Sequence, residues 1–319
     1  MAARRYHRPN AVNITPRFAF CSPCCSPLWN PGRSCRLVDV CGACILLAGL
    51  LLVGCSPWGR DVAASSGNRP ALGQKYENSL GMKFVPVSGT EVLFCVWETR
   101  VKDYAAHAAA SPNVDGSWRN VKYQETPVSD GQTHPAVNVS WEDAQTFCAW
   151  LTKKEQEEGR LSADQRYRLP TDLEWSAAVG LRGETGDTPK ERDRKVKDVY
   201  PWGTEWPPPS GAGNFADASA KSAFNMGWAM ADYRDGYAST APVGSFSTNR
   251  SGLCDLSGNV WEWCDDSYDL EEKGRVLRGG SWANVARDLL LSSRRLHYAA
   301  GRRDVNVGFR CVLVVSSAR

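Results

Sequence analysis

The sequence predicts an α+β fold with little regular secondary structure, on three observations. Two segments, 140–151 and 171–178, show helical spacing behind capping residues, whereas strand-like alternation is confined to short runs. Residues 204–259 are rich in glycine and proline and lack long periodic runs. The chain also holds 13 tryptophans, which can pack such irregular segments. Its 319 residues, 42% of them hydrophobic, suffice for one large domain or two ordinary ones.

Charge is concentrated at the beginning of the chain. Six arginines and one acidic residue give residues 1–54 a net charge of +5, although the whole chain carries only +3. The rest of the chain therefore has a net charge of −2. A near-neutral body offers no electrostatic basis for binding nucleic acid, so we expect no nucleic-acid partner.

Residues 1–54 have the pattern of an export signal. Residues 40–54 are uncharged and mostly apolar, and they follow Arg33 and Arg36. This run is too short for a transmembrane helix of about 20 residues. It ends in Leu52-Val-Gly-Cys55, which resembles a bacterial lipobox whose cysteine is lipidated and becomes the N-terminus. The alternative is a plain secretory signal with a chance cysteine.

We expect lipidation at Cys55 and a polar tether over residues 55–77. Residues 1–36 fit neither the apolar part of the signal nor the polar tether. Cys21 and Cys24 have the spacing of a metal knuckle, but no second cluster follows, so the alternative is a start codon placed too far upstream. The predicted location is the bacterial cell envelope, with the exported protein anchored to the membrane by lipid.

The ordered elements are predicted to begin after the tether. Alternation predicts strands in 78–87 and 92–97, and helix-forming residues predict a helix over 98–110. The charged segment 153–160 is expected to be a solvated helical end.

Two further helices carry N-terminal capping signals. Ser140 and Asp143 form a capping pair before a helix with apolar residues at helical spacing. Thr171 and Glu174 form a Thr-x-x-Glu capping box before the next helix. Residues 180–198 are predicted to be a charged loop.

Seven short motifs occur in order between residues 78 and 313. They are Asn78-Ser-Leu-Gly-Met82, His134-Pro-Ala-Val-Asn-Val-Ser-Trp141, Arg168-Leu-Pro-Thr-Asp-Leu-Glu-Trp175, Tyr200-Pro-Trp-Gly203, Gly258-Asn-Val-Trp-Glu-Trp263, Arg278-Gly-Gly-Ser-Trp282 and Gly308-Phe-Arg-Cys311. In this order they resemble the formylglycine-generating enzymes, also called the sulfatase-modifying factor family. The resemblance implies one domain over residues 78–315 with that family's variant of the C-type lectin-like fold, which is α+β and stabilised by calcium.

The resemblance also implies two structural calcium sites. Calcium binds oxygens of carboxylates, amides and backbone carbonyls, and both candidate sites offer such a set. The first would use the side chains of Asn214 and Asp235 with the carbonyls of Phe215 and Tyr237. The second would use the side chains of Asp255 and Glu262 with the carbonyls of Gly258 and Val260. On spacing alone, these acids would be ordinary loop residues.

The cysteines allow one family-based pairing. Cys148 and Cys311 match a disulfide of the family, and export would favour the bond over two buried thiols. The pairing of Cys95, Cys254 and Cys264 is left open, because an odd number of cysteines follows the lipobox.

The family's oxidase chemistry depends on two cysteines that this chain lacks. Active members hold copper(I) with one cysteine three residues after the serine of Gly-Gly-Ser and another five residues further on. Here Ser281 is followed by Asn284 and Leu289 at those positions. Copper(I) prefers thiolate sulfur, which neither side chain supplies. We therefore expect a degenerate site with no copper and no catalytic residue.

Iron chemistry of related branches is not predicted either. Those branches use a histidine triad, and the four histidines here show no such spacing: His7, His107, His134 and His297. Three arginines near His297 are expected to form a solvated charged face, namely Arg294, Arg295 and Arg302.

Two functional hypotheses follow. The first is an exported, lipid-anchored binding module that accepts a peptide, a glycan or an envelope protein in the groove used for substrate by active relatives. The alternative is an enzyme of the family, a formylglycine-generating oxidoreductase or related catalyst, with an altered active site. Whether the chain is an enzyme is therefore left undecided by the sequence.

The lipobox is tested by replacing its cysteine. In a bacterial host, Cys55→Ala removes the thiol that would carry the lipid, so we expect the protein to move from the membrane to the soluble fraction. Immunoblotting of the fractions measures this, with Ser56→Ala as the matched control. Membrane retention of Cys55→Ala would refute the lipid anchor.

Overall fold

The structure, a computed structural model, describes residues 69–271 and 274–315. The predicted signal region, Cys55 and the tether before residue 69 lie outside the described residues.

The secondary structure consists of short strands and a few helices. The strands are β1 Tyr76–Glu77, β2 Lys83–Pro86, β3 Val92–Cys95, β4 Lys122–Tyr123, β5 Thr126–Pro127, β6 Arg166–Arg168, β7 Trp261–Ser267, β8 Arg275–Arg278, β9 Leu296–Tyr298, β10 Val307–Gly308 and β11 Val312–Val314. The helices are α1 Val101–Ala110, α2 Trp141–Glu157, α3 Asp172–Val179, α4 Pro189–Arg192 and α5 Ala218–Phe224, with a 3₁₀ turn at Arg287–Leu289.

Two sheets organise the described residues. The first has the order β1-β2-β3-β11-β6 and is antiparallel throughout, with Val312 of β11 opposite Phe94 on one side and Arg168 on the other. The second has the order β10-β7-β8-β9, in which β10 runs parallel to β7. A separate pair, β4-β5, completes the strands. The last strand thus pairs with early ones, which closes the domain.

The two capping predictions are confirmed. The Ser140 hydroxyl accepts a hydrogen bond from the Asp143 amide, and the Asp143 carboxylate accepts one from the Ser140 amide, at the start of α2. The Thr171 and Glu174 pair caps α3 in the same reciprocal way. These side chains accept hydrogen bonds from first-turn amides that would otherwise be unpaired, which explains why both helices begin where the sequence predicts.

The region predicted as loop contains two short helices. Thr188 caps α4 with Pro189 at its first position, and Asp217 caps α5 by accepting from the amides of Ser219 and Ala220. Helices of four and seven residues are too short to give a periodic pattern, so the sequence does not reveal them. Most of the remaining segment is irregular, as predicted.

Two tryptophans connect the start of α2 to β7. The indole of Trp141 donates to the carbonyl of Cys264, and that of Trp263 donates to the carbonyl of Val139, both at 3.0 Å. The rings of Trp261 and Trp263 are fully buried in the main core. Large rings with one polar atom therefore both fill the core and satisfy backbone groups of irregular segments.

No helix within the described ranges is long and apolar enough to cross a bilayer.

His107 is a buried histidine whose ring makes no hydrogen bond among the described residues. It lies on α1, 1% exposed, with the rings of Tyr104, Phe147 and Trp150 around it. Neither ring nitrogen has a hydrogen-bond partner among the described residues. Burial lowers the pKa of His107, although the nearby Asp143 opposes that shift.

Stability should therefore fall in mild acid. Below the ordinary histidine pKa of about 6.5 the unfolded chain takes up a proton that buried His107 resists, so the free energy of unfolding decreases as pH drops. His107→Leu should reduce this loss, measured by melting temperature between neutral pH and pH 5. Some loss should persist because burial also lowers the pKa of His134. The exposed His297→Gln is the control, and an unchanged slope in His107→Leu would contradict the assignment.

Candidate functional site

Two backbone segments cross at very short range in the centre of the candidate site. A Cβ on Gly213 would lie 2.1 Å from the carbonyl oxygen of Ser257, and one on Gly258 would lie 2.0 Å from that of Asn214. Gly258 also has φ +76°, which favours glycine. Asn214 and Gly258 form an isolated parallel bridge, and the Asn259 amide donates to the Asn214 carbonyl at 2.9 Å. This crossing brings the two predicted calcium motifs together.

The first candidate calcium site has one buried oxygen without a partner. The amide nitrogen of fully buried Asn214 donates to the carbonyl of Ser239 at 2.7 Å and to Asn259 Oδ1 at 3.1 Å. Its Oδ1 has no hydrogen-bond partner among the described residues. A buried oxygen in this condition is unfavourable unless a cation or water binds it.

Asp235 supplies the carboxylate of the first site. It accepts hydrogen bonds from the amides of Phe215 at 2.9 Å and Tyr237 at 2.8 Å, the two residues whose carbonyls are the other predicted ligands. Burial raises the pKa of Asp235 to about 7, and the neighbouring Asp217 adds to the shift. A bound cation would relieve this cost of burying the carboxylate.

The second candidate site contains another unpartnered oxygen. Asp255 is buried with φ +57°, and its Oδ2 accepts from the Gly244 amide at 2.7 Å. Its Oδ1 has no partner within the part of the chain that the structure describes. Burial raises the pKa of Asp255 to about 6.

Glu262 is held on the other side of the second site. Arg310 binds its carboxylate with two guanidinium nitrogens, one at 2.7 Å, and the Trp175 indole donates to it at 2.9 Å. All three side chains are fully buried. Arg310 thereby connects the Gly-Phe-Arg-Cys motif to the Gly-Asn-Val-Trp-Glu-Trp motif.

Sequence reasoning missed Glu98 at this site. Glu98 is fully buried and accepts from Asn259 Nδ2 at 2.6 Å and from the Val260 amide at 3.2 Å. Burial raises its pKa well above the usual range, and the charges of Asp255 and Glu262 add to the shift. A charged residue directly after an apolar strand was the available signal, since such residues are rarely buried without a role.

The charges at the second site favour a divalent cation. Three buried carboxylates, those of Glu98, Asp255 and Glu262, are accompanied by the Arg310 guanidinium. Burial and the neighbouring carboxylates raise the pKa of Glu98 and of Asp255, and a bound divalent cation would relieve that cost. The residues present therefore fit a calcium ion.

Carboxylates alone do not form these sites. Across residues 69–271 and 274–315, no three histidine, cysteine or carboxylate side chains gather as metal ligands. Each candidate site depends on carbonyl and amide oxygens as well, a donor set that calcium accepts. The eight predicted ligands thus remain predictions.

The predicted degenerate site lies around the Gly-Gly-Ser turn. Asn284 Oδ1 accepts from both the amide and the hydroxyl of Ser281 at 2.9 Å, and Asn306 donates to the same hydroxyl at 3.1 Å. A Cβ on Gly280 would lie 3.9 Å from Asn284 Oδ1 and 3.6 Å from the carbonyl oxygen of Leu289. The structure thus brings Asn284 and the backbone of Leu289, the two positions that the resemblance assigns to metal ligands, to the same glycine.

A buried arginine fixes this turn to α3. Arg278 binds the carboxylate of Asp172 and lies 4.4 Å over the ring of Trp175, while its other nitrogen donates to the carbonyl of Ser292 at 2.8 Å. Burial alone would raise the pKa of Asp172, but Arg278 and Arg295 hold it below its usual range.

The prediction that Arg295 belongs to a solvated basic face near His297 is wrong. Its side chain is fully buried and binds Asp172 and Glu184. Arg294 binds Asp193 at 2.8 Å. Three acids distant in sequence neutralise these arginines, which the sequence alone did not indicate.

The described cysteines are all buried. The sulfurs of Cys148 and Cys311 lie 3.6 Å apart, so the structure brings the predicted pair together, although the disulfide itself remains a prediction. Burial raises the pKa of Cys254 to about 11 and that of Cys264 well above its usual value. Such thiols stay protonated and are poor metal ligands.

Aromatic side chains lie beside the degenerate turn. Tyr200 and Trp202 stack with ring centroids 4.8 Å apart. Arg287 lies 5.2 Å over Trp206 and donates to the Tyr200 hydroxyl at 3.2 Å. We call these four residues the aromatic platform.

A cleft of about 810 Å³ adjoins the platform. Tyr200 and Trp202 line it together with Asp255 and Ser257 of the second calcium motif. Ser281, Asn284 and Leu289 are not among its lining residues.

Comparison with known families defines the class of protein. The family described as "Sulfatase-modifying factor enzyme 1-like domain" matches residues 39–315. The chain belongs to this family, and its fold is the α+β formylglycine-generating-enzyme-like fold that the sequence predicts.

Two curated relatives are equally similar. "Inactive C-alpha-formylglycine-generating enzyme 2" of Bos taurus is 31% identical over 203 residues, covering 61% of this chain and 55% of the relative. "Formylglycine-generating enzyme" of Streptomyces coelicolor is 31% identical over 236 residues, covering 66% and 63%. The chain thus spans between about half and just under two thirds of these relatives.

Solved structures agree on the fold. PvdO from Pseudomonas aeruginosa has a TM-score of 0.52 and 18% identity, covering 77% of this chain and 100% of that structure. CarF has a TM-score of 0.50 and 23% identity, covering 70% and 87%. At these identities the likeness concerns the fold alone.

The calcium sites are tested by metal removal. A chelator should lower the melting temperature of the wild-type protein, since an ion at 100 times its Kd stabilises by about 2.7 kcal/mol. When calcium is added back, the melting temperature of Asp235→Asn should recover less than that of the wild-type protein, because the substitution removes one of the two predicted side-chain ligands. The exposed Asp232→Asn is the matched control. A melting temperature indifferent to chelator would rule out stabilising ions.

Proposed function

We propose that this protein is an exported, lipid-anchored binding module of the sulfatase-modifying factor family whose copper oxidase site is degenerate. Its ligand would be a peptide, a glycan or an envelope protein, and its membrane contact would be the lipid on Cys55. Structural calcium at both candidate sites and the Cys148–Cys311 disulfide belong to the same proposal.

One observation carries the loss of oxidase chemistry. Asn284 and Leu289 stand at the former ligand positions around Gly280, and neither has sulfur. Asn284 Oδ1 already accepts two hydrogen bonds from Ser281, so this side chain serves the turn. A soft monovalent metal has no thiolate to bind here.

The other cysteines do not offer a substitute. Cys254 and Cys264 are buried thiols, and their raised pKa disfavours the thiolate that copper(I) requires. Cys264 lies in β7, at the centre of the second sheet. Shifting it to the turn would disrupt that strand.

The surface around the turn supports binding. The half-buried rings of Trp202 and Trp206 and the exposed cation of Arg287 offer contact groups, and the adjacent cleft is lined by uncharged polar groups as well. Aromatic rings and arginine are enriched where proteins hold peptides and other ligands. The names of the two relatives, one called inactive and one not, are compatible with either loss or retention of catalysis.

Copper binding tests the degenerate site. A copper(I) titration of the reduced protein against a chromogenic chelator should reveal no tight site at the turn. The double variant Asn284→Cys/Leu289→Cys should gain one tightly held copper(I), because it restores two sulfur ligands around Gly280. The matched control, Asn284→Ser/Leu289→Ser, should gain none.

The rival hypothesis, an enzyme with altered chemistry, makes the opposite prediction. Stoichiometric, chelator-resistant copper(I) in the wild-type protein would sink the binding-module proposal. If the restored double-cysteine variant failed to hold copper, the inferred geometry of the turn would be wrong.

A further inference from the structure

We infer that Asn259 couples the two candidate calcium sites, so that an ion at one site raises the affinity of the other, with Glu98 as the residue that orients Asn259. This inference rests on the proposed calcium sites and goes beyond them. It concerns positioning residues, since neither Asn259 nor Glu98 is among the predicted ligands.

Asn259 lies between two ligands of the second site. Its neighbours Gly258 and Val260 supply the two predicted carbonyl ligands, and Asn259 itself adopts φ +59°. Its amide donates to the Asn214 carbonyl and its carbonyl accepts from the Trp282 amide, both at 2.9 Å. An ion held by the flanking carbonyls would therefore fix the turn that carries the Asn259 side chain.

The Asn259 side chain orients a ligand of the first site. Its Oδ1 accepts from Asn214 Nδ2 at 3.1 Å and from the Ala241 amide at 2.9 Å. With its nitrogen engaged there and at Ser239, Asn214 directs Oδ1 elsewhere, buried and unpartnered. The Oδ1 atom is the one that calcium would bind.

Glu98 and the Ala241 amide together determine the orientation of both side-chain amides. The Ala241 amide can only donate, so the Asn259 oxygen faces it and the Asn259 nitrogen faces Glu98, at 2.6 Å. The Asn259 oxygen must then face Asn214, which in turn presents its own nitrogen. Glu98 also accepts from the Val260 amide at 3.2 Å. One chain of hydrogen bonds thus runs from the second site to the first.

Coupling of this kind is reciprocal. If an ion at the second site favours the bound orientation of Asn214, an ion at the first site favours the turn at Asn259 by the same factor. Typical couplings change affinity by about 5- to 150-fold.

Calcium titration of the full-length, metal-stripped protein tests the coupling. Isothermal calorimetry should show two ions binding with positive cooperativity. Asp255→Asn, which weakens only the second site directly, should also weaken calcium binding at the first by about 5-fold or more. Asp235→Asn should weaken the second site by the same factor.

The variant Asn259→Gly tests whether the Asn259 side chain couples the two sites. Glycine keeps the left-handed backbone while removing the amide that links Glu98 to Asn214. We expect both ions to bind this variant without cooperativity and more weakly at the first site. Asn225→Gly, at a left-handed asparagine that is exposed, is the control and should retain cooperativity. A merely structural role would lower the melting temperature of ion-free protein without changing cooperativity.

Each outcome decides the proposal. Two ions that bind independently in the wild-type protein, with Asp255→Asn leaving the first site unchanged, would overturn the coupling while leaving the calcium sites intact. Absence of any calcium binding in the wild-type protein would overturn both. Retained cooperativity in Asn259→Gly would exclude Asn259 as the connection.

Discussion

The central constraint of this domain is the contact between two backbones at Gly213–Asn214 and Ser257–Gly258. No side chain larger than hydrogen fits at either glycine, because a Cβ would approach a carbonyl oxygen to about 2 Å. The Gly258 amide donates in turn to the Gly279 carbonyl at 2.9 Å. One crossing therefore positions both candidate ion sites and the Gly-Gly-Ser turn.

This arrangement separates the shape of the site from its chemistry. The turn is held by Arg278 in its buried ion pair with Asp172, and by hydrogen bonds among Ser281, Asn284 and Asn306. None of these contacts requires sulfur. Asparagine at position 284 and leucine at 289 are thus compatible with an intact fold, and Asn284 contributes to the turn through hydrogen bonds from the Ser281 amide and hydroxyl.

Local signals in the sequence predicted much of the fold, whereas distant contacts escaped it. The capping pairs at Ser140 and Thr171 lie within four residues and were predicted correctly. Glu98 bonds to Asn259, 161 positions away, and only the folded chain brings them together. The buried environment of Arg295 was missed for the same reason. The candidate site was predictable by family resemblance, but its supporting residues were not.

We infer that this domain keeps the family's shape without its reaction. The most direct test incubates purified, copper-supplied protein with oxygen and a cysteine-containing sulfatase peptide, and follows the peptide by mass spectrometry. We expect the cysteine of the peptide to remain unconverted. Catalytic appearance of the aldehyde, abolished when the peptide's cysteine is replaced by serine, would contradict it.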